Sequence, residues 1–146
     1  MGYYASITAA DFTIPTEKLD AAFEALKELD KHNDLKSGGS FGTLPNGTHG
    51  QIGWHFAWMG DDWTEKCKSV GDVLAELGFE ISGTDGDLEI YGYATKSGDE
   101  EHFLRALAPF VKPGSYLEWE GEDSQRWRQD FDGETMTEKS GRTIWE

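Results

Sequence analysis

Apolar positions along this chain recur with two periods, near 3.6 and 2, and the change from one to the other marks out its elements. Residues 3–14 (YYASITAADFTI) are rich in β-branched and aromatic types and predict a strand that breaks near Ala9-Ala10 and stops at Pro15. Leu19, Ala22, Phe23, Leu26 and Leu29 then return at helical spacing, on one face of a helix ending near His32. Thr16 is its expected N-cap, with Glu17 in the first turn where the helix dipole favours an anion. Glu17, Lys18, Glu24, Lys27, Glu28 and Lys31 form its solvated face. Residues 33–53 lose all periodicity. Glycines at 38, 39, 42, 47, 50 and 53, with Pro45 and Asn46, predict a flexible loop, adaptable or disordered.

Trp54, Phe56 and Trp58 alternate with His55, Ala57 and Met59, as in a strand buried mainly on one face. Trp63, Cys67, Val70, Leu74 and Leu77 follow at helical spacing. They predict one amphipathic helix, capped by Asp61 or Asp62 and closed by Gly78 in the left-handed region. The seam between this central strand and this helix is the expected organiser of the core. Phe79–Tyr93 reads as a hairpin about Asp85-Gly86. Its register sets Ile81 opposite Ile90 and Gly83 opposite Leu88, with Phe79 on the same face and Tyr91 and Tyr93 on the other.

A third helix is expected after Asp99, with Glu100 and Glu101 in its first turn and Phe103, Leu104, Leu107, Ala108 and Val111 buried; Pro109 kinks or ends it. Tyr116–Glu120 and Arg126–Phe131 pair across the loop at 121–125, setting Trp119 against Trp127, Glu118 against Arg128 and Glu120 against Arg126. Asp132-Gly133 turns the chain into Glu134–Glu138. A strict register would put Glu138 on the Trp127 face, so a bulge or a sheet edge is expected there. Gly141–Glu146 is expected to add a short final strand. The order β-α-β-α-β-β-α-β-β-β predicts a single α+β domain over residues 1–146: a mostly antiparallel sheet with helices packed on one face, with ferredoxin-like split β-α-β elements as the nearest named architecture.

Charge changes what this fold can be expected to do. The 146 residues carry 28 acidic against 13 basic side chains, a net of -15. Such a surface repels phosphate backbones and anionic lipid, so direct nucleic-acid binding is not expected unless the carboxylates themselves imitate nucleic acid. Cys67 is the one cysteine, which leaves no disulfide framework and no cysteine-based metal site. No stretch approaches a membrane span and no apolar run follows a basic start, so a soluble, cytosolic protein is expected. Met1-Gly2 with Ser6 fits a loose myristoylation pattern, but the same residues read as the first strand. Asn46-Gly47-Thr48 is a glycosylation sequon that matters only on a secreted chain.

Catalytic patterns are weak. Gly38-Gly39-Ser40-Phe41-Gly42 lacks both the Walker ending and dinucleotide glycine spacing. None of His32, His49, His55 and His102 forms a His-x-x-x-His pair, and no Ser or Thr sits in a nucleophile elbow. His49 and His55 could approach Cys67 to make a zinc site or a Cys/His pair; against this, Cys67 lies on the apolar stripe of its helix and reads as a small core residue. Asp85, Asp87 and Glu89 suggest calcium, but a tight hairpin turn accounts for them, and helix capping accounts for Asp61-Asp62. The six tryptophans mostly sit at core spacing. No catalytic, cofactor-binding or metal-binding residue is assigned. The candidates for an interaction surface are His49, His55, Tyr91, Tyr93, Glu118 and Glu120.

The runs GWHFAWM, LAELGFE, GYATKSGDEEHFLRALAPFVKPGSYLEWEGEDSQRWRQDF and IWE, with MGYYASITAADFTIP at the start, resemble an uncharacterised family of small acidic proteins encoded by bacteriophages, chiefly of actinobacteria. The likeness spans essentially the whole chain, least clearly residues 33–53. It carries no assigned activity and so no catalytic residues. It implies a protein made in the cytoplasm of an infected bacterium and dispensable for virion assembly. Three readings follow from residues and resemblance together. The first is a non-enzymatic accessory protein that binds a host or phage protein, for host take-over or anti-defence. The second is an acidic nucleic-acid mimic inhibiting a DNA-binding host protein. The third is a small-molecule-binding protein or enzyme with a pocket beside loop 33–53.

Overall fold

The structure is a computed structural model that describes residues 3–36, 38–56, 59, 63–83, 86–96 and 98–141, with backbone alone for 33, 38–41 and 51–55. Its strands are β1 (Tyr4–Ile14), β2 (Gly38–Thr43), β3 (His49–His55), β4 (Phe79–Ser82), β5 (Leu88–Lys96), β6 (Tyr116–Gly121), β7 (Arg126–Phe131) and β8 (Met136–Gly141). Its helices are α1 (Leu19–Leu29), α2 (Trp63–Lys66), α3 (Val70–Leu77) and α4 (Glu100–Leu107). Six strands form one sheet in the order β4-β5-β1-β6-β7-β8, and β2 and β3 pair separately. The helices pack on one face of the six-stranded sheet, as an α+β layer requires. All its described strand pairs are antiparallel. β1 and β4 therefore run parallel with β5 between them, and β5 and β6 run parallel with β1 between them. With its helical crossovers, β4-β5-β1-β6 thus has the ferredoxin-like split β-α-β arrangement, which β7 and β8 extend at one edge.

β1 is the middle of this sheet because its alternation buries Ala5, Phe12 and Ile14. The expected break near Ala9-Ala10 is a bulge: Ile7 pairs with Trp119 and Ala9 with Glu118, leaving Thr8 as the extra residue. Pro15 ends the strand and opens a 3-10 turn over Thr16–Lys18 that leads into α1. Thr16 does not cap α1; its N–H and Oγ1 both donate to Asp87 Oδ1, at 3.0 Å each, tying the helix entrance to the start of β5.

The stretch expected to be an irregular loop carries the β2–β3 hairpin, paired from Gly38↔His55 to Thr43↔His49. Glycine lowers strand propensity and hides such a pair from periodicity. Its turn is nonetheless specified: Gly47 takes φ +87° and Asn46 Oδ1 accepts from Thr48 N and Oγ1. β3 is consequently not the central strand. It ends at His55, and Phe56 leaves it to stack edge-on against Phe103 of α4 at 4.8 Å. Trp63 meets the same ring at 5.6 Å, and its Nε1 donates to Asp30 Oδ1 at 2.9 Å. Trp58, Asp61 and Asp62 lie outside the described residues, as does the expected final strand beyond Gly141.

The single helix expected from Trp63 to Leu77 is two. α2 stops at Lys66, and α3 restarts behind Ser69, whose Oγ accepts from Asp72 N at 3.2 Å while Asp72 Oδ2 accepts from Lys68 N at 2.9 Å. Gly78 closes α3 at φ +109°. Pro109 ends α4 in a 3-10 turn over Ala108–Phe110.

Candidate interaction surface

With the helices on one face, the other face of the six-stranded sheet is presented to solvent, and strand register decides which side chains stand on it. The β6–β7 pairs are those the sequence implies: Glu118↔Arg128, Trp119↔Trp127 and Glu120↔Arg126. Trp119 turns inward and is buried, with Trp127 stacked parallel at 5.8 Å on the same side. Glu118 and Glu120 therefore point outward. On the neighbouring strand Ser6 pairs with Glu120, Ala9 with Glu118 and Asp11 with Tyr116, which extends the outward rows across β1.

β5 departs from the expected register. Ile81 does oppose Ile90, but Glu80 opposes Gly92 and Phe79 opposes Tyr93, so Tyr91 is the extra residue of a bulge. A bulge of this kind keeps two successive residues on one face and returns the next to the other. Tyr91 thus stands outward and is 60% exposed. Tyr93 is only 2% exposed, packed between Phe79 at 4.9 Å and Trp119 at 5.0 Å, with its hydroxyl donating to Lys96 O at 2.9 Å. Burial raises its pKa, with the Glu100 carboxylate adding to the effect. Tyr93 belongs to the core and not, as alternation implies, to the surface.

The surface has members that periodicity did not single out. Tyr4, paired with Lys96, is 47% exposed; it and Tyr91 are the exposed large hydrophobic side chains among the described residues, and both lie on this face. Arg128 lies over the Tyr116 ring at 4.1 Å. Its Nε reaches Asp130 Oδ1 at 2.8 Å and its Nη1 reaches Glu118 Oε1 at 2.7 Å. Asp130, and after it Glu118, push its pKa further up, so the guanidinium is a fixed charge. Arg126 stands 3.8 Å from Glu120 and Lys139 3.5 Å from Asp130. Which strand faces outward is set by tertiary register, so Tyr4 and Tyr116 gave no signal as a local pattern.

The remaining candidates fall elsewhere. His49 is exposed at the start of β3, on the separate hairpin, and the His55 side chain lies outside the described set. Cys67 is 3% exposed and its thiol pKa is raised by burial first, then by the carboxylates of Glu76 and Asp72, which disfavours a reactive thiolate. Among the described residues no group of three or more His, Cys, Asp or Glu side chains converges as a metal site would require. A cavity of about 330 Å³ lies between α1, α3 and the β4–β5 hairpin, not beside residues 33–53. No helix among the described residues is long and apolar enough to cross a membrane. No family model, curated protein or solved structure matches the chain.

Proposed function

We propose that this chain is a non-enzymatic bacteriophage accessory protein, working in the cytoplasm of an infected bacterium, and that it binds a host or phage protein through the uncovered face of its six-stranded sheet. One observation carries the reading: Tyr4 and Tyr91, the exposed large hydrophobic side chains, share that face with the Arg128–Tyr116 stack. Tyrosine and arginine are the residue types that dominate binding hot spots, since each offers a large, stiff contact with a polar end. The phage setting comes from the resemblance in the sequence; the interaction face comes from the fold.

Nucleic-acid mimicry draws less support from the same face. A mimic needs rows of uncompensated carboxylates, and here the row of Glu118 and Glu120 lies directly against the row of Arg128 and Arg126. The test is capture from host lysate by the wild-type chain, by Tyr91→Glu and by a Tyr4→Ala/Tyr91→Ala double variant. Recovery of a specific protein by the wild type and its loss in both variants supports the reading. Recovery of the same proteins by all three would remove the sheet face as the binding surface.

A further inference from the structure

The cavity between the N-terminal half of α1, the first turn of α3 and the β4–β5 hairpin has a volume of about 330 Å³. Its apolar wall is made by Leu19, Phe23, Val70, Ala75, Ile81 and Leu88. Val70 and Leu88 are buried behind it, whereas Leu19, Phe23 and Ile81 are only half-buried and leave apolar surface in contact with water inside a concavity. Gly71 in the first turn of α3 lets the hairpin wall close on the helix backbone. A Cβ there would stand 3.1 Å from Ile81 Cδ1 and 3.6 Å from Leu88 Cδ1, so a larger side chain at this position has to push the wall or enter the cavity. The Thr16–Asp87 hydrogen bonds fix the wall beside it, joining the α1 entrance to the hairpin without any occupant.

We infer that this cavity receives one large apolar side chain, flanked by a positive charge, from the partner protein. The inference rests on the partner-binding reading above and adds a second contact away from the sheet face. Size and chemistry select this occupant. The volume is at the lower end for small-molecule sites and suits a single anchoring side chain. Two of the polar side chains at the mouth serve the α3 cap: Ser69 Oγ accepts from Asp72 N, and Asp72 Oδ2 accepts from Lys68 N. What the mouth still offers is net charge, from Asp20 and Asp72 against Lys68, on a chain of net charge -15. An apolar anchor next to a lysine or arginine matches both the wall and the mouth.

Blocked tripeptides Lys-Trp-Lys, Glu-Trp-Glu and Lys-Ala-Lys are the probes, titrated into ¹⁵N-labelled full-length protein while the amides of Gly71, Ala75 and Ser82 are followed. Lys-Trp-Lys should shift these amides saturably and bind about fivefold more tightly than Glu-Trp-Glu at low salt, a preference of the size expected for exposed charges. Lys-Ala-Lys should leave them in place. Gly71→Leu should abolish the shifts, and Gly71→Ala, the milder variant should Gly71→Leu fail to fold, should weaken them. Asp20→Lys should erase the charge preference. Shifts that persist in Gly71→Leu, equal shifts by Lys-Ala-Lys, no shift by any peptide, or tighter binding of free indole than of Lys-Trp-Lys would each overturn the inference. So would lysate capture that is lost in Tyr91→Glu and unchanged in Gly71→Leu, an outcome that leaves the sheet-face reading intact.

Discussion

Trp119 has its indole buried against Phe79 and Tyr93, and its N–H donates to Gln129 Oε1 at 2.8 Å. Gln129, itself 3% exposed, donates in turn to Glu138 Oε2 at 3.3 Å. Gln129→Ala leaves a buried donor without its acceptor, which should cost about 1–3 kcal/mol. Glu118→Gln removes one partner of a surface pair whose members are each 41% exposed, and should cost about 0–1 kcal/mol. Urea denaturation midpoints of the two variants should separate accordingly; equal midpoints would mean that water replaces Gln129. Titration acts at the same scale. Asp87 is held below the usual carboxylate range by the Thr16 N–H and then its hydroxyl, and Asp132 by the N–H groups of Thr135 and Glu134. For each the folded pKa lies below the unfolded one. The stability they contribute is present above about pH 4 and is lost as pH falls through the folded values. Tyr3, whose hydroxyl donates to Asp123, is pushed up to about 12, chiefly by that hydrogen bond. Its contribution is complete below about pH 10 and lost as pH rises through about 12. Thermal melts of Asp87→Asn and Tyr3→Phe should flatten the acid and alkaline limbs respectively. Tyr3→Phe that left the alkaline limb unchanged would contradict the assignment.

At the scale of elements, Gly78 shows what a single backbone position controls. It closes α3 at φ +109°, and a Cβ there would approach Thr95 Cγ2 to 2.7 Å. Gly78→Ala should therefore destabilise by about 1–3 kcal/mol, read as a lower melting temperature with the circular dichroism of the native state kept. This cap was legible in the sequence because one glycine followed a complete helical stripe. The β6–β7 register was legible for a similar reason: aromatics matched on one side of the pair and opposite charges on the other, and only one alignment does both. Other elements were hidden for identifiable causes. The β2–β3 strands are glycine-rich and carry little alternation, so only the turn Pro45-Asn46-Gly47 marked them. The stripe of Trp63, Cys67 and Val70 continued across a break made by Ser69 and Asp72, because two short helices can share one buried face. Strict alternation puts Tyr93 on the solvent side, and one extra residue at Tyr91 reverses it. The candidate surface was legible in part, through Tyr91, Glu118 and Glu120. Tyr4 and Tyr116 needed the strand order, which no local pattern encodes.

Over the whole molecule, the net charge of -15 acts on folding and on binding with opposite dependence on salt. Around the described fold carboxylates outnumber ammonium and guanidinium groups, and the local pairs are exposed, so mutual repulsion within the compact state outweighs what those pairs return. At pH 7, about 0.5 M NaCl shortens the Debye length to below typical charge spacings, and the melting temperature should rise. Near the sequence pI of 4.5 the net repulsion is gone, and the same salt should leave the melting temperature unchanged or lower it slightly by screening the remaining pairs. Capture of a basic partner segment depends on the field that destabilises the fold. Raising salt at pH 7 should slow association mainly through the on-rate, as steering between opposite charges does, while the Tyr4 and Tyr91 contacts hold the off-rate nearly constant. Surface plasmon resonance with the captured partner, run beside melts in the same buffers, places the two effects side by side. A melting temperature that falls with salt at pH 7 would show that the ion pairs outweigh the net charge. An on-rate insensitive to salt would show that the partner meets the tyrosine face without meeting the acidic field.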